Sequence, residues 1–206
     1  VTAREVTIIA TGVANTASIA AAFRRCGAVT VLTDDPELVE AAGRVVLPGV
    51  GSFAAGIQRL RARGLAEVVA RRFRGDRPTL AVCLGLQLLC ARSDEAPGVA
   101  GLGVIDSEVR RFPAGARTPH FGWNSVEVSG NRSVIHPGYA YYAHSYRITE
   151  APPGWTVATT LHGAPFVAAL ERGSVCACQF HPELSGAWGQ SLLERWLASE
   201  GADEPC

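Results

Sequence analysis

The sequence predicts an α/β fold: a doubly wound, mostly parallel sheet flanked by helices, with an antiparallel hairpin section in the second half. Three observations point there. Strand-like and helix-like segments alternate from Val6 to Ala91, the pattern of a parallel sheet covered on both faces. From Val104 onward, short strand-like runs follow one another with turn residues between several of them, as in hairpins. At the junction of the halves an apolar strand runs directly into Cys83, then Gly85, then a helical segment. One domain is expected to span residues 1–206.

The elements follow in order. Val6–Ala10 is a β-branched run. Asn15–Cys26 puts Ile19, Ala22, Phe23 and Cys26 on one helical face, and Gly27 stops the helix. Val29–Thr33 is a second strand. Asp35-Pro36-Glu37 starts a helix with Pro in its first turn, and Gly43 ends it. Arg44–Leu47 is a third strand. Gly51–Phe73 is helical with a break near Gly64. Thr79–Val82 is a fourth strand, and Leu84–Ala91 a helix. In the second half Val104–Arg111, Asn124–Ser129, Tyr139–Ile148, Trp155–Leu161, Phe166–Leu170 and Ser174–Phe180 read as strands. Turns are expected at Ser129-Gly130-Asn131, His162-Gly163 and Arg172-Gly173. Ser191–Leu197 closes the fold as an amphipathic helix, and Ser199–Cys206 is expected to fray.

Composition excludes several chemistries. All 19 basic residues are arginine, balanced by 19 acidic ones, and there is neither lysine nor methionine. A Schiff-base lysine, a phosphate-loop lysine and a lysine general base are therefore ruled out, as is a methionine-lined recognition groove. Zero net charge argues against a nucleic-acid partner. No apolar run approaches the roughly 20 residues of a membrane helix. Val1–Ala10 reads as a strand rather than an export signal, since it lacks a basic start and a small-residue cleavage site. A cytoplasmic location with six reduced cysteines (26, 83, 90, 176, 178 and 206) is expected. Cys176-x-Cys178 reads as one strand face rather than a zinc site, and neither metal nor cofactor is expected. Arg59–Arg77 holds seven arginines against Glu67 and Asp76. It reads as a solvated helix face, the alternative being a patch facing a partner or a phosphate.

Chemistry concentrates in three places. Thr79–Gln87 has the strand–turn–helix layout of a nucleophile elbow with cysteine in the serine position. Cys83 would project from a tight turn at the carboxyl end of the sheet, where open α/β sheets bind ligands. A helix start behind it favours the thiolate, and the Leu84 N–H can serve an oxyanion. Gln179-Phe180-His181-Pro182-Glu183 supplies an imidazole base, with a carboxylate two residues on to fix its tautomer. Leu47-Pro48-Gly49-Val50-Gly51 ends the third strand and could offer a second oxyanion donor; read alone it fits a plain strand-to-helix turn better. Cys83, His181 and Glu183 together suit acyl transfer through a thioester.

At these residues the sequence resembles the class I glutamine amidotransferases. Pro48–Gly51, Cys83–Gln87 and His181-Pro182-Glu183 match that family in content and order. Pro119-His120-Phe121-Gly122-Trp123-Asn124 and Tyr142–Tyr146 narrow the likeness to the branch that serves imidazole glycerol phosphate synthase in histidine biosynthesis. The likeness covers almost the whole chain.

It implies that Cys83 attacks glutamine, His181 moves the proton and Glu183 orients it. The oxyanion hole would comprise Leu84 with an N–H from Gly49, Val50 or Gly51. Gln87 and Glu95 would hold the substrate, Glu95 facing its ammonium, with Ser145 and Tyr146 at its carboxylate. Asn15, His120, Trp123, Asn124 and Leu184 would face a partner. That partner would be a (β/α)₈ cyclase subunit in a heterodimer, receiving ammonia directly. Two places depart from the family. Ala10–Asn15 keeps only Gly12 and Asn15 of an Asp-Tyr-Gly-x-Gly-Asn-like opening, and Leu184 stands where the family carries lysine. Both imply altered docking contacts. A subunit of a different synthase, of anthranilate type or from specialised metabolism, and a non-catalytic docking subunit on the same scaffold are the alternatives.

Overall fold

The computed structural model describes residues 4–10, 12, 15–129 and 134–199. Its first half alternates β1 (Glu5–Ile9), α1 (Thr16–Arg25), β2 (Val29–Thr33), α2 (Pro36–Ala41), β3 (Val45–Leu47), α3 (Phe53–Ala62), α4 (Leu65–Arg74), β4 (Thr79–Val82) and α5 (Leu84–Leu88). Local chemistry explains the boundaries. The Asn15 side chain accepts from Ser18 N to start α1, and Ser52 accepts from Ala55 N to start α3. Asp35 caps α2 through Glu37 N and Leu38 N, with Pro36 in the first turn. Gly64 adopts a left-handed φ of 69°, which breaks the expected long helix into α3 and α4.

The second half contributes β5 (Cys90–Ser93), β6 (Ile105–Arg111), β7 (His120–Ser129), β8 (Gly138–His144), β9 (Tyr146–Ile148), β10 (Thr156–His162), β11 (Ala164–Arg172), β12 (Val175–Cys178), a 3₁₀ turn at Pro182–Leu184 and α6 (Gly186–Ala198). The main sheet runs β2-β1-β3-β4-β12-β11-β10-β7-β8. Pairing is parallel from β2 through β12 and antiparallel from β12 through β8. A side branch of β5, β6 and β9 joins through β11. Strand β12 is the seam: β4 lies parallel on one side, β11 antiparallel on the other.

Apolar side chains fill both faces. On one, Ile19 and Phe23 of α1 and Leu192, Leu193 and Trp196 of α6 pack with Phe166 and Phe180. On the other, Val39, Phe53, Ile57, Val69, Phe73 and Leu86 bring in the remaining helices. Burying Trp196 completely contributes on the order of 3 kcal/mol.

Some elements depart from expectation. The helix after Cys83 stops at Leu88 instead of Ala91, and Cys90–Ser93 is a strand parallel to β6. The reason is competition for carbonyls: Leu102 N bonds Leu88 O and Gly101 N bonds Ala91 O, which holds that backbone extended. Tyr139–Ile148 is two strands, because β8 pairs with β7 whereas β9 pairs with β6 and β11. β7 starts at His120 rather than Asn124, and α6 starts at Gly186 rather than Ser191. Gly130 and Asn131 of an expected turn, and the tail after Ser199, lie outside the described residues.

The arginine-dense stretch is not uniformly solvated. Arg72 is fully buried on α4. Its guanidinium donates to the carbonyls of Val39, Glu40, Ala42, Gly43 and Pro78 and to Thr79 Oγ1. Arg72 thus ties the end of α2 to the start of β4. Burial, with Arg77 nearby, lowers its pKa to about 10.

Candidate active site

β4 delivers Cys83 at its carboxyl end. The residue has φ 55° and ψ −109°, a conformation that costs a non-glycine residue about 1–3 kcal/mol. The turn is held on two sides. Cys83 N donates to Cys178 O on the neighbouring β12 at 2.7 Å. Gly85 lets the backbone pass so close that a Cβ there would overlap Leu47 O. The sulfur points towards Ala143 O at 4.0 Å and receives Gln179 Nε2 at 3.7 Å.

His181 follows β12, so parallel pairing of β4 and β12 brings it beside Cys83. Its N–H donates to Tyr141 O at 2.9 Å. Its carbonyl accepts from Ser185 Oγ at 2.6 Å, and Ser185 Oγ accepts from Tyr141 N at 2.9 Å. The imidazole is thereby fixed between β8 and the 3₁₀ turn. Its Nδ1 lies 2.9 Å from Glu183 Oε1, and its side chain shares a cleft with Cys83. Burial works against a charge on this ring. The hydrogen bonds and negative charges of Cys83 and Glu183 outweigh it and raise the pKa to about 10. An imidazole held between a carboxylate and a sulfur can give a proton to a leaving group and take one from water.

A cleft of about 450 Å³ opens onto these groups. It is lined by Cys83, Leu84 and His181, by Val50 and Gly51, and by the expected substrate residues Gln87, Glu95, Ser145 and Tyr146. Gln87 Nε2 donates to Tyr146 O at 3.0 Å and to Gln179 Oε1 at 2.9 Å. Glu95 Oε2 accepts from Phe53 N at 2.8 Å. Leu84 N donates to Gly49 O at 3.4 Å. In this structure the Gly49 carbonyl, rather than an N–H of that strand, faces the expected oxyanion position.

A second cleft of about 270 Å³ adjoins the first through Val50, Phe121, Ala143 and His181. Glu183, Asn15, Leu184 and Gly49 line it. Trp123 is 58% exposed, Leu184 is 43% exposed, and Asn15 is also exposed. His120 corrects the expectation of a partner-facing side chain. Only 4% exposed, it bonds His144 and Asn124 internally. Strand alternation is the reason, since His120 and Trp123 lie on opposite faces of β7. Asn124 is likewise turned inward, donating to Leu161 O at 3.0 Å. Phe121, 70% exposed, shares the outer face with Trp123 and had no assigned role.

Gln179, Ser185 and Tyr141 are further residues that sequence reasoning did not single out. Gln179 and Ser185 stand inside the His181 segment as buried polar residues, which is the one signal they give. Among the described residues no three His, Cys, Asp or Glu side chains converge as metal ligands would. No helix among them is long and apolar enough to cross a membrane.

Comparison with known proteins gives a consistent result. The family model for glutamine amidotransferase class-I matches residues 7–199. Imidazole glycerol phosphate synthase subunit HisH of Methanothermobacter thermautotrophicus is 40% identical over 195 residues, covering 93% of this chain and 97% of its own. The subunit of the same name from Symbiobacterium thermophilum is 37% identical over 195 residues, covering 93% and 92%. The chloroplastic imidazole glycerol phosphate synthase hisHF of Arabidopsis thaliana is 39% identical over 199 residues, which are 93% of this chain and 34% of that protein. A crystal structure of a glutamine amidotransferase superposes with a TM-score of 0.73 at 20% identity, covering 93% and 96% of the two chains. At that identity the likeness bears on the fold alone.

Proposed function

This chain belongs to the class I glutamine amidotransferases, and from that premise we propose that it is the glutamine-hydrolysing subunit of an imidazole glycerol phosphate synthase in histidine biosynthesis. The observation that carries the reading is the meeting of Cys83, His181 and Glu183 at a cleft also lined by Gln87, Glu95, Ser145 and Tyr146.

Cys83 sulfur attacks the side-chain carboxamide carbon of glutamine. The carbonyl oxygen takes the negative charge, and His181 protonates the departing nitrogen, leaving ammonia and a glutamyl thioester. Water, deprotonated by His181, then cleaves the thioester, releasing glutamate and the thiolate. Glu183 keeps the imidazole oriented. Glu95 has one oxygen on Phe53 N and offers the other to the substrate ammonium. Ser145 and Tyr146 receive the carboxylate end. Leu84 N–H serves the oxyanion once the Gly49 carbonyl releases it, and a turned peptide at Gly49–Gly51 adds the second donor. That geometry supports slow hydrolysis by the free chain and faster hydrolysis once a partner has docked.

The partner is a (β/α)₈ cyclase subunit, docked in a cytoplasmic heterodimer over Trp123, Leu184 and Asn15. Ammonia passes to it through the second cleft, whose walls include Glu183 and Leu184. Direct transfer matters because free ammonia is mostly protonated, and so not nucleophilic, at neutral pH. The Arabidopsis relative, which matches this chain over about a third of its own length, supports an association with additional polypeptide.

The test is glutamate release with and without the histidine-pathway cyclase and its nucleotide ligand, together with co-purification of the two chains. Stimulated release that disappears in Cys83→Ala is expected. Equal release from Cys83→Ala overturns the catalytic assignment. Failure to bind the cyclase moves the chain to another synthase.

A further inference from the structure

Beyond the triad, buried polar groups join the outer strand to the sulfur. The polarity of each link can be worked out. Tyr146 O only accepts, so His144 Nδ1, 2.8 Å away, carries the hydrogen. A neutral His144 then has a bare Nε2, which must accept from His120 Nδ1 at 3.0 Å. His120 Nε2 is bare in turn and accepts from the Asn124 amide at 3.1 Å. Burial, and then neighbouring imidazoles, push the pKa of His120 down to about 4 and that of His144 to about 3, so both rings are neutral at pH 7.

The chain continues on the far side of Tyr146 O. Gln87 Nε2 gives one hydrogen to that carbonyl and the other to Gln179 Oε1. With its oxygen occupied, Gln179 must turn its amide nitrogen to Cys83, where it lies 3.7 Å from Sγ. Gln179 is fully buried, and Gln87, His120 and His144 are no more than 6% exposed. Apolar side chains would fill this volume without the desolvation cost of four buried polar ones. Here the buried groups satisfy one another through the Tyr146 carbonyl, which takes a hydrogen from His144 on one side and from Gln87 on the other, and the run ends on the sulfur.

We propose that Asn124, His120, His144, the Tyr146 carbonyl, Gln87 and Gln179 form a hydrogen-bonded relay from strand β7 to the Cys83 sulfur, with Gln179 the positioning residue that orients the sulfur. Because β7 carries Phe121 and Trp123 on its outer side, a partner resting there acts on the nucleophile through the relay. The inference rests on Cys83 being the nucleophile.

The test is the rate of Cys83 alkylation by iodoacetamide at neutral pH, read on the Cys83 peptide by mass spectrometry, with near-ultraviolet circular dichroism reporting the fold. Gln179→Met keeps the length and removes the donor. Alkylation is expected to slow about tenfold, the scale of one hydrogen bond to a charged group. His120→Phe keeps the ring packing and cuts the relay, and should slow alkylation severalfold. His120→Asn returns a donor at the δ position and should restore the rate to within about twofold, a rescue that a packing role would not produce. If Gln179→Met does not fold, Gln179→Glu replaces the donor with an oxygen at constant size and should slow the reaction as well. A wild-type rate in a folded position-179 variant, or identical rates for His120→Phe and His120→Asn, overturns the relay. Failure of the nucleophile assignment registers separately, as glutamate release that survives Cys83→Ala.

Discussion

Glu183 grips the Nδ1 edge of His181 with one oxygen at 2.9 Å, while its other oxygen is buried with no hydrogen-bond partner among the described residues. The carboxylate charge is therefore directed almost entirely at one imidazole. Glu183→Gln keeps the shape and removes that charge. Glutamine turnover is expected to fall about a hundredfold or more, as for other orienting carboxylates, measured as glutamate release with the partner present. A pH signature accompanies it. With a folded pKa of about 10 against 6.5 for the free side chain, the stability from His181 is full below pH 6.5 and is lost as pH rises through 10. The wild-type urea midpoint should fall between pH 7 and pH 10, and fall less in Glu183→Gln.

Arg72 offers a test of the scaffold. Replacing it with Met keeps an apolar stem and removes the donor to the carbonyls of Val39 and Gly43, whereas those of Glu40 and Ala42 keep Arg77 and that of Pro78 keeps Val45 N. A loss of about 3 kcal/mol or more is expected in urea denaturation. Arg71→Met, on the exposed side of α4, should cost less than about 0.5 kcal/mol.

Gly85 tests the elbow itself. A methyl group there meets Leu47 O, a backbone atom that cannot turn aside. Gly85→Ala should cost roughly 2–3 kcal/mol and should also reduce kcat/KM by displacing Cys83, as steady-state kinetics would reveal.

Trp123 separates docking from folding. Because 58% of it is exposed, Trp123→Ala should leave the denaturation midpoint within about 0.5 kcal/mol of wild type. Affinity for the cyclase should fall at least about thirtyfold, as for an aromatic anchor at an interface, measured by titration calorimetry.

The parallel half of the fold was legible because its signals are local. Asp35 with Pro36 starts a helix, and Gly64 breaks one, whatever the rest of the chain does. Strand β5 was not legible, since Cys90–Ser93 prolongs a helical pattern and only the later residues Gly101 and Leu102 pull its backbone straight. The division at Ser145 is similar, being a change of strand partner that leaves no local trace. Among the site residues, Cys83 and His181 announce themselves by motif, and the cleft gathers the expected substrate residues around them. His120 was misplaced by treating its block as a unit. Alternation along β7 already sets it opposite Trp123. Arg72 was misread for the same reason, because it shares a helical face with Val68, Val69 and Phe73. Gln179 could not be found by pattern, since its two partners, Cys83 and Gln87, come from a different stretch of chain.

Strand β12 lies between β4 and β11, both of which precede it in the chain. The sheet therefore closes by insertion, and among the described strands the last in chain order is the one that sets His181 beside Cys83. On the proposed mechanism, a nascent chain that has not yet reached β12 holds a nucleophile with no base. The order of synthesis then keeps Cys83 from releasing ammonia until His181 is in place beside it.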